Sequence, residues 1–204
     1  MTVRLVIFDM DGTLTKPFFD WPAMKRCMGL PLDRPILESL EALTPADRER
    51  CERQLQVFED EAADRSELNH GAREALAYLD ARGILKAILT RNSARSVERV
   101  LARHDLAFDT SITRHCAPPK PDPTAVHMIA ERLGAPGRPV PPDEIIMVGD
   151  YEFDILSGRR AGAHTILLTN GEPNDFATKA DADITTLADL PAAIERIEEV
   201  DCEQ

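Results

Sequence analysis

The chain has 204 residues and a formal net charge of -12, and hydrophobic side chains make up 43% of it. This length and apolar content allow a proper buried core, so we expect one domain with an insertion or two small domains. The negative charge argues against nucleic acid or an anionic membrane as the main partner, because attraction to phosphate groups would be reversed.

Cysteine spacing and hydropathy narrow the protein class further. The four cysteines lie far apart and form no CxxC pair, which favours small buried side chains over a zinc site or a disulfide framework. No apolar run reaches membrane-spanning length, and no signal-peptide pattern precedes the first strand. We therefore expect a soluble, cytoplasmic protein. A monomer or a weak homodimer is a separate expectation.

The first predicted element is a buried strand that ends in two carboxylates. Residues 5–14 read LVIFDMDGTL, so an apolar run is followed by Asp9, Asp11 and Gly12. Taken alone, the pair fits the polar end of a strand followed by an Asp-Gly turn. Whether the two aspartates take part in catalysis depends on the residues found elsewhere in the chain.

A small helical insertion is predicted over residues 16–70. Thr44, Pro45 and Asp47 form a helix start, and an apolar stripe follows it at helical spacing. A second helix is predicted upstream from the spacing of Trp21, Met24 and Met28, with Gly29 as its stop. We expect residues 1–15 and 71–204 to form the core domain and residues 16–70 to form a cap.

Three aromatic residues lie close together at the start of this insertion: Phe18, Phe19 and Trp21. Because they follow the DGTL turn within a few positions, they are candidates to line the mouth of a site. The alternative is that they only hold the insertion together, as hydrophobic staples do at helix starts.

Short apolar runs alternate with helical patterns along the remainder. We expect helices over residues 71–83, 93–104, 122–133, 151–160 and 190–200, and strands over residues 85–90, 144–150 and 164–169. Asp122 and Pro123 are predicted as the N-cap and first residue of their helix. The alternation predicts an α/β fold with a doubly wound parallel sheet.

Polar side chains follow several of the predicted strands. Ligands of such a sheet bind outside the carboxyl ends of its strands, where the strand order reverses. The side chains expected to meet there are Asp9, Asp11, Thr90, Asn92, Asp150 and Asp154, with Lys120 held between prolines nearby. Each is a weak signal alone, but their order and positions together indicate one site.

This set of motifs resembles the haloacid dehalogenase-like (HAD) hydrolase superfamily. The matching stretches are DMDGT, LTRN, KPDP and GDYEFD, and together they extend over nearly the whole chain. The resemblance implies a Rossmann-like HAD core with a small helical C1-type cap at residues 16–70. It further implies a phosphatase, similar to phosphoglycolate phosphatases, that acts on a small phosphorylated metabolite.

The resemblance also assigns chemical roles to the polar residues. Asp9 would attack phosphorus to form an aspartyl-phosphate, and Asp11 would protonate the leaving oxygen and then activate water. Mg²⁺ would be held by Asp9, the Asp11 backbone carbonyl and Asp150, with Asp154 orienting these ligands. The residues expected to contact the phosphate are Gly12, Thr90, Arg91 and Lys120. Asn92 is a candidate for the substrate-lining set, and Arg91 is equally open to a structural salt bridge.

Four other functions compete with that of a phosphatase. A dehalogenase of the same fold needs neither a metal nor a general acid, so Asp11 and Asp150 count against it. A β-phosphoglucomutase-like enzyme would keep the core set and differ in the cap. A phosphoreceiver domain is shorter and has its acceptor aspartate on a later strand. A catalytically silent HAD-fold binding protein would usually lack a motif residue, and none is missing here.

Overall fold

The computed structural model describes residues 2–173 and 179–200, without the side chain of Val200. The strands are β1 (Leu5–Phe8), β2 (Leu85–Leu89), β3 (Thr110–Ile112), β4 (Ile145–Gly149), β5 (His164–Leu168) and β6 (Ala182–Ile184). The α-helices are α1 (Trp21–Met28), α2 (Ile36–Glu41), α3 (Pro45–Arg65), α4 (Ala72–Arg82), α5 (Ala94–His104), α6 (Thr124–Leu133), α7 (Glu152–Arg160) and α8 (Leu190–Val200).

The described strands form one parallel sheet in the order β3-β2-β1-β4-β5-β6. Side chains alternate between the faces of a strand. Thus Val6 and Phe8 of β1 pack into one apolar cluster, whereas Leu5 and Ile7 pack into another on the opposite face. Both faces are covered, as a parallel sheet requires. The predicted doubly wound α/β fold is confirmed.

Several local predictions need correction. The sequence pattern missed β3, β6 and α2, which are three, three and six residues long. Helix α6 begins at Thr124, one residue later than predicted, and the Asp122 carboxylate accepts the Thr124 N–H at 2.8 Å. Burial also differs among the cysteines: Cys51 is buried, but Cys27 and Cys116 are exposed. Cys202 lies outside the described residues.

Helices α1, α2 and α3 share an apolar cluster of their own, which includes Met24, Met28, Leu40, Cys51 and Leu55. Thr44 caps α3 as predicted, and Gly29 ends α1 in the left-handed conformation. Trp21 does not join the buried stripe of α1, because it is 47% exposed. The boundaries of a separate cap domain stay a prediction.

Across residues 2–173 and 179–200, we find no helix with both the length and the apolar character that a membrane span requires.

Candidate active site

The candidate site lies at the carboxyl end of β1, the strand with β2 on one side and β4 on the other. Pairing with β4 continues past the end of β1, since the Asp9 N–H donates to the Val148 carbonyl at 2.9 Å. The strand order reverses at this position, which opens a crevice above the strand ends. Asp9 therefore lies where a ligand of this fold is expected.

Lys120 connects two of the carboxylates. Its Nζ lies 2.8 Å from Asp9 Oδ1 and 2.5 Å from Asp154 Oδ1, and its side chain is 1% exposed. Burial lowers the pKa of Lys120, but the charges of Asp154 and Asp9 outweigh it and raise the pKa above its ordinary value. The lysine is therefore a fixed positive charge beside Asp9.

Asp154 is held from two sides. Its Oδ2 accepts the Tyr151 N–H at 3.0 Å at the start of α7, while Oδ1 binds Lys120. Burial raises the pKa of Asp154 to about 6, against the opposing effect of Lys120.

The turn after β1 depends on Gly12, whose φ is +81°. A Cβ at this position would lie 2.2 Å from Asp150 Oδ2, so only glycine leaves room for that carboxylate. The Gly12 carbonyl accepts hydrogen bonds from Asn170 Nδ2 at 2.8 Å and from Asn69 Nδ2 at 3.2 Å. Thr13 Oγ1 donates to Asp150 Oδ1 at 2.9 Å. The turn and Asp150 thus fix each other.

Asp11 is placed to carry a proton. Burial, and next the charge of Asp9, raise the pKa of Asp11 to about 7, while a hydrogen bond from the Asn92 side-chain amide to Asp11 Oδ2 lowers it. A carboxyl group with this pKa exists in both protonation states near neutral pH, which suits acid-base catalysis.

The site can hold a cation. Carboxylate oxygens of Asp9, Asp150 and Asp154 all lie within 4.8 Å of one another. Burial and the charges of Asp9 and Asp154 raise the pKa of Asp150 to about 8. The three carboxylates together therefore favour a nearby positive charge. An all-oxygen donor set is what Mg²⁺ prefers. This cluster has Asp154 beside Asp9 and Asp150, whereas the sequence prediction gave the third ligand position to the Asp11 carbonyl.

A cavity of about 300 Å³ opens over the carboxylates. The core residues in its wall are Asp9, Asp11, Thr90, Arg91, Asn92, Asp150, Tyr151 and Phe153. From the inserted helices and their loops come Trp21, Lys25, Pro35, Ile36, Leu37, Leu55 and Glu59. Most predicted site residues therefore meet around one cavity, and the buried Lys120 binds the Asp9 carboxylate beside it.

The three predicted aromatic residues differ in their positions relative to the cavity. Trp21 lies in the cavity wall. The Phe19 ring packs on Trp21 with centroids 4.7 Å apart, and the Arg65 guanidinium lies 5.1 Å from the centre of the Phe18 ring. Phe18 and Phe19 are thus packing residues beside Trp21, and their contact with a substrate stays a prediction.

Sequence reasoning missed several residues at the site. Glu59 of α3 is buried in the cavity wall, where it accepts from Ser93 Oγ at 2.8 Å and Ser96 Oγ at 3.0 Å and pairs with Arg114. Asp60 and Glu61 follow it directly, so no local signal separates Glu59 from a solvated acidic helix face. Phe153 lies within the GDYEFD motif and could have been found there.

Arg91, predicted to contact the phosphate, is paired in the structure. Its guanidinium binds the Glu38 carboxylate of α2 and lies 4.9 Å from the centre of the Phe153 ring. A contact between Arg91 and phosphate stays a prediction.

Comparisons with known proteins agree with this architecture. A hydrolase from Pseudomonas syringae of known structure superposes with a TM-score of 0.79, covering 97% of this chain and 99% of its own at 24% identity. At that identity the likeness concerns the fold.

Two sequence relatives are nearer. An uncharacterized hydrolase of Saccharomyces cerevisiae is 37% identical, covering 82% of this chain and 78% of its own. A protein of Pseudomonas fluorescens named phosphoglycolate phosphatase is 31% identical over 82% of this chain and 70% of its own.

The sequence model of the haloacid dehalogenase-like hydrolases matches residues 22–162, which is more than half of the chain. The sheet order, the strand-end carboxylates and this match agree. The chain belongs to the haloacid dehalogenase-like hydrolase family.

Proposed function

We propose that the protein is a Mg²⁺-dependent phosphatase that hydrolyses a small phosphorylated metabolite through an aspartyl-phosphate intermediate. The observation that carries the proposal is the pair of carboxylates after β1. Asp9 pairs with the buried Lys120 ammonium, whereas Asp11, with its pKa raised to about 7, can hold a proton. These observations support Asp9 as the nucleophile and Asp11 as the acid.

In the first step, a carboxylate oxygen of Asp9 attacks phosphorus and the bond from phosphorus to the leaving oxygen breaks. Asp11 gives its proton to that oxygen, so the metabolite leaves with a neutral hydroxyl group. Lys120 and Thr90 stabilise the charge on the transferring phosphoryl oxygens, with the backbone of the Gly12 turn beside them.

In the second step, water attacks phosphorus of the aspartyl-phosphate. Asp11, now a carboxylate, removes a proton from the water, and the bond between phosphorus and the Asp9 oxygen breaks. Inorganic phosphate leaves, the Asp9 carboxylate is restored, and Asp11 again holds a proton.

Mg²⁺ fits the oxygen donors of Asp9, Asp150 and Asp154, and when bound it supplies positive charge against the phosphoryl oxygens. The structural role of these side chains is to converge from β1, β4 and α7 on one position. The Asp11 backbone carbonyl remains a further proposed ligand.

The cavity favours a small substrate. Its volume of about 300 Å³ is at the low end for ligand sites, and much of the wall over the carboxylates is apolar. Relatives named phosphoglycolate phosphatase and N-acetylmuramic acid 6-phosphate phosphatase support phosphate monoesters as the substrate class. The test panel should therefore contain small carboxylate phosphates, sugar phosphates and nucleoside monophosphates.

The experiment is a phosphate-release assay with 4-nitrophenyl phosphate and the panel, first with Mg²⁺ and then with EDTA. We expect release that requires the metal and is abolished by Asp9→Asn, which keeps the shape of the side chain but removes its nucleophilic charge. A circular dichroism spectrum checks that the variant is folded. Absence of metal-dependent release from every compound would favour a silent binding protein.

A further inference from the structure

Arg91 joins four separate segments of the chain. It follows Thr90 directly after β2, and its Nη2 donates to Glu38 Oε1 at 2.8 Å and Oε2 at 2.6 Å in α2. Its Nη1 donates to the Lys120 carbonyl, and the guanidinium lies over the Phe153 ring of α7.

The two terminal nitrogens, with which an arginine commonly binds phosphate, already make three hydrogen bonds to protein oxygens. Planar guanidinium groups bind phosphate through paired N–H donors, and here both terminal nitrogens are engaged with protein oxygens. Glu38 also neutralises the charge, and the pair is partly screened from water, with side chains 19% and 35% exposed. A phosphate ion would have to compete with Glu38 for Arg91.

The partner of Arg91 lies in a helix that needs an anchor. Helix α2 has six residues, and its N-cap, Pro35, makes no side-chain capping hydrogen bond. A helix this short is unstable without tertiary contacts. Its residues Ile36 and Leu37 line the cavity next to Glu38. The position of this part of the wall therefore depends on what holds α2.

We propose that the Arg91–Glu38 pair is a latch that fixes α2 over the phosphate site, so that Arg91 and Glu38 are positioning residues for the body of the substrate. This assignment replaces the role of Arg91 as a phosphate ligand, and its kinetic consequences rest on the proposed phosphatase function. The latch holds a wall that contacts the leaving group, and it does not touch the reacting atoms.

A second pair between the same two parts of the chain provides a matched control. Arg95 of α5 binds Asp60 of α3 through two hydrogen bonds of 2.9 Å each. Like the latch, this pair joins an inserted helix to the core through an arginine that makes two hydrogen bonds to one carboxylate. Both residues lie outside the set of described residues that line the cavity.

The kinetic experiment compares Glu38→Gln with Asp60→Asn, using 4-nitrophenyl phosphate as substrate and inorganic phosphate as competitive inhibitor. Loosening a wall that binds the leaving group equally in ground and transition states raises KM without changing kcat. We expect Glu38→Gln to raise KM about tenfold, the loss of roughly one charged hydrogen bond. The Ki of inorganic phosphate, which has no leaving group, should stay within about twofold, and Asp60→Asn should leave both constants unchanged.

The opposite outcomes overturn the latch. If Arg91 is a phosphate ligand restrained by Glu38, then Glu38→Gln frees its charge, and KM and the phosphate Ki both fall. An unchanged KM would mean that α2 does not depend on the pair. An equal rise of KM in Asp60→Asn would mean that any loss of a contact between the inserted helices and the core has the same effect.

Hydrogen exchange tests the latch without using activity. In Glu38→Gln, the backbone amides of α2 should exchange at least about tenfold faster than in the wild-type protein, while those of α3 and β1 keep their rates. In Asp60→Asn, the α2 amides should keep the wild-type rate. If no phosphatase activity is found but α2 exchanges faster only in Glu38→Gln, the latch stands and the proposed function fails. Unchanged exchange of α2 in Glu38→Gln would refute the latch.

Discussion

Replacing Lys120 by methionine should show how strongly the site depends on this one buried cation. Methionine keeps most of the length and apolar volume of the lysine side chain, but it removes the charge. The ammonium makes contacts of 2.8 Å with Asp9 and 2.5 Å with Asp154 and is 1% exposed. Its loss leaves two carboxylates in a buried site without their partner.

The magnitude follows from these two contacts. Hydrogen bonds between charged groups contribute about 1.5–3 kcal/mol each, and breaking a buried ion pair from one side costs about 3–5 kcal/mol. We expect Lys120→Met to lower the free energy of unfolding by about 3–5 kcal/mol. With a typical urea m-value of about 2 kcal/mol/M, the midpoint should fall by about 1.5–2.5 M.

Urea unfolding in EDTA measures this loss, and Lys86→Met is the matched control. The Lys86 side chain is 10% exposed, but its partner Asp80 is 62% exposed and stays hydrated when the lysine is removed. We expect a loss of about 0–1 kcal/mol for this control. Equal losses in the two variants, or a Lys120→Met protein as stable as the wild type, would refute the reasoning.

The loss of unfolding free energy in Lys120→Met should also grow as the pH rises. The pKa of Asp154 is raised to about 6 even with Lys120 present, and removal of the ammonium removes an effect that lowers it. An acid whose folded pKa exceeds its unfolded value loses stability as pH rises from the unfolded value through the folded one. The difference between Lys120→Met and the wild type should therefore widen between about pH 5 and pH 8. A difference that narrows over this range would contradict the proposed cause.

Three further variants test other parts of the site. Asp11→Asn should lower single-turnover phosphorylation of the enzyme by alkyl phosphates at least about tenfold more than by 4-nitrophenyl phosphate, whose leaving group needs little protonation; equal losses would exclude acid catalysis by Asp11. Gly12→Ala should lower the free energy of unfolding by about 2 kcal/mol in urea and reduce activity further, because the backbone there has φ +81° and the new Cβ would displace Asp150; wild-type activity would mean that the Asp150 position is unimportant. Trp21→Ala should change the ranking of kcat/KM among panel substrates, and a uniform loss with a lower melting temperature would mean that Trp21 only packs the insertion.

The strand-end residues could be predicted because they follow from local patterns and topology. Asp9, Asp11, Thr90 and Asp150 each come directly after, or close behind, an apolar run, and parallel strands bring such positions to one edge. No periodicity places Lys120: its position between two prolines drew attention to it, and the family resemblance supplied its expected role. Helix α3 could be predicted equally well, because its Thr44 cap and apolar stripe are both local signals.

The cavity wall was harder to predict because it depends on pairings between distant segments. The role of Glu38 depends on its pairing with Arg91, and that of Glu59 on its contacts with Ser93 and Arg114. These partners lie far away in the sequence. Strands of three residues, such as β3 and β6, are too short to show alternation, so they were missed for the same lack of local signal.

The central place of β1 in the sheet also affects how the chain folds. Leu5 pairs with Leu85 on one side and with Ile145 on the other, so the second neighbour follows about 140 residues later. Ribosomes add about 5–20 residues per second, so the four buried residues of β1 wait on the order of ten seconds for that neighbour during synthesis. The strand that Asp9 follows is thus made well before it can be enclosed, so its four apolar residues stay open to non-native contacts during that interval.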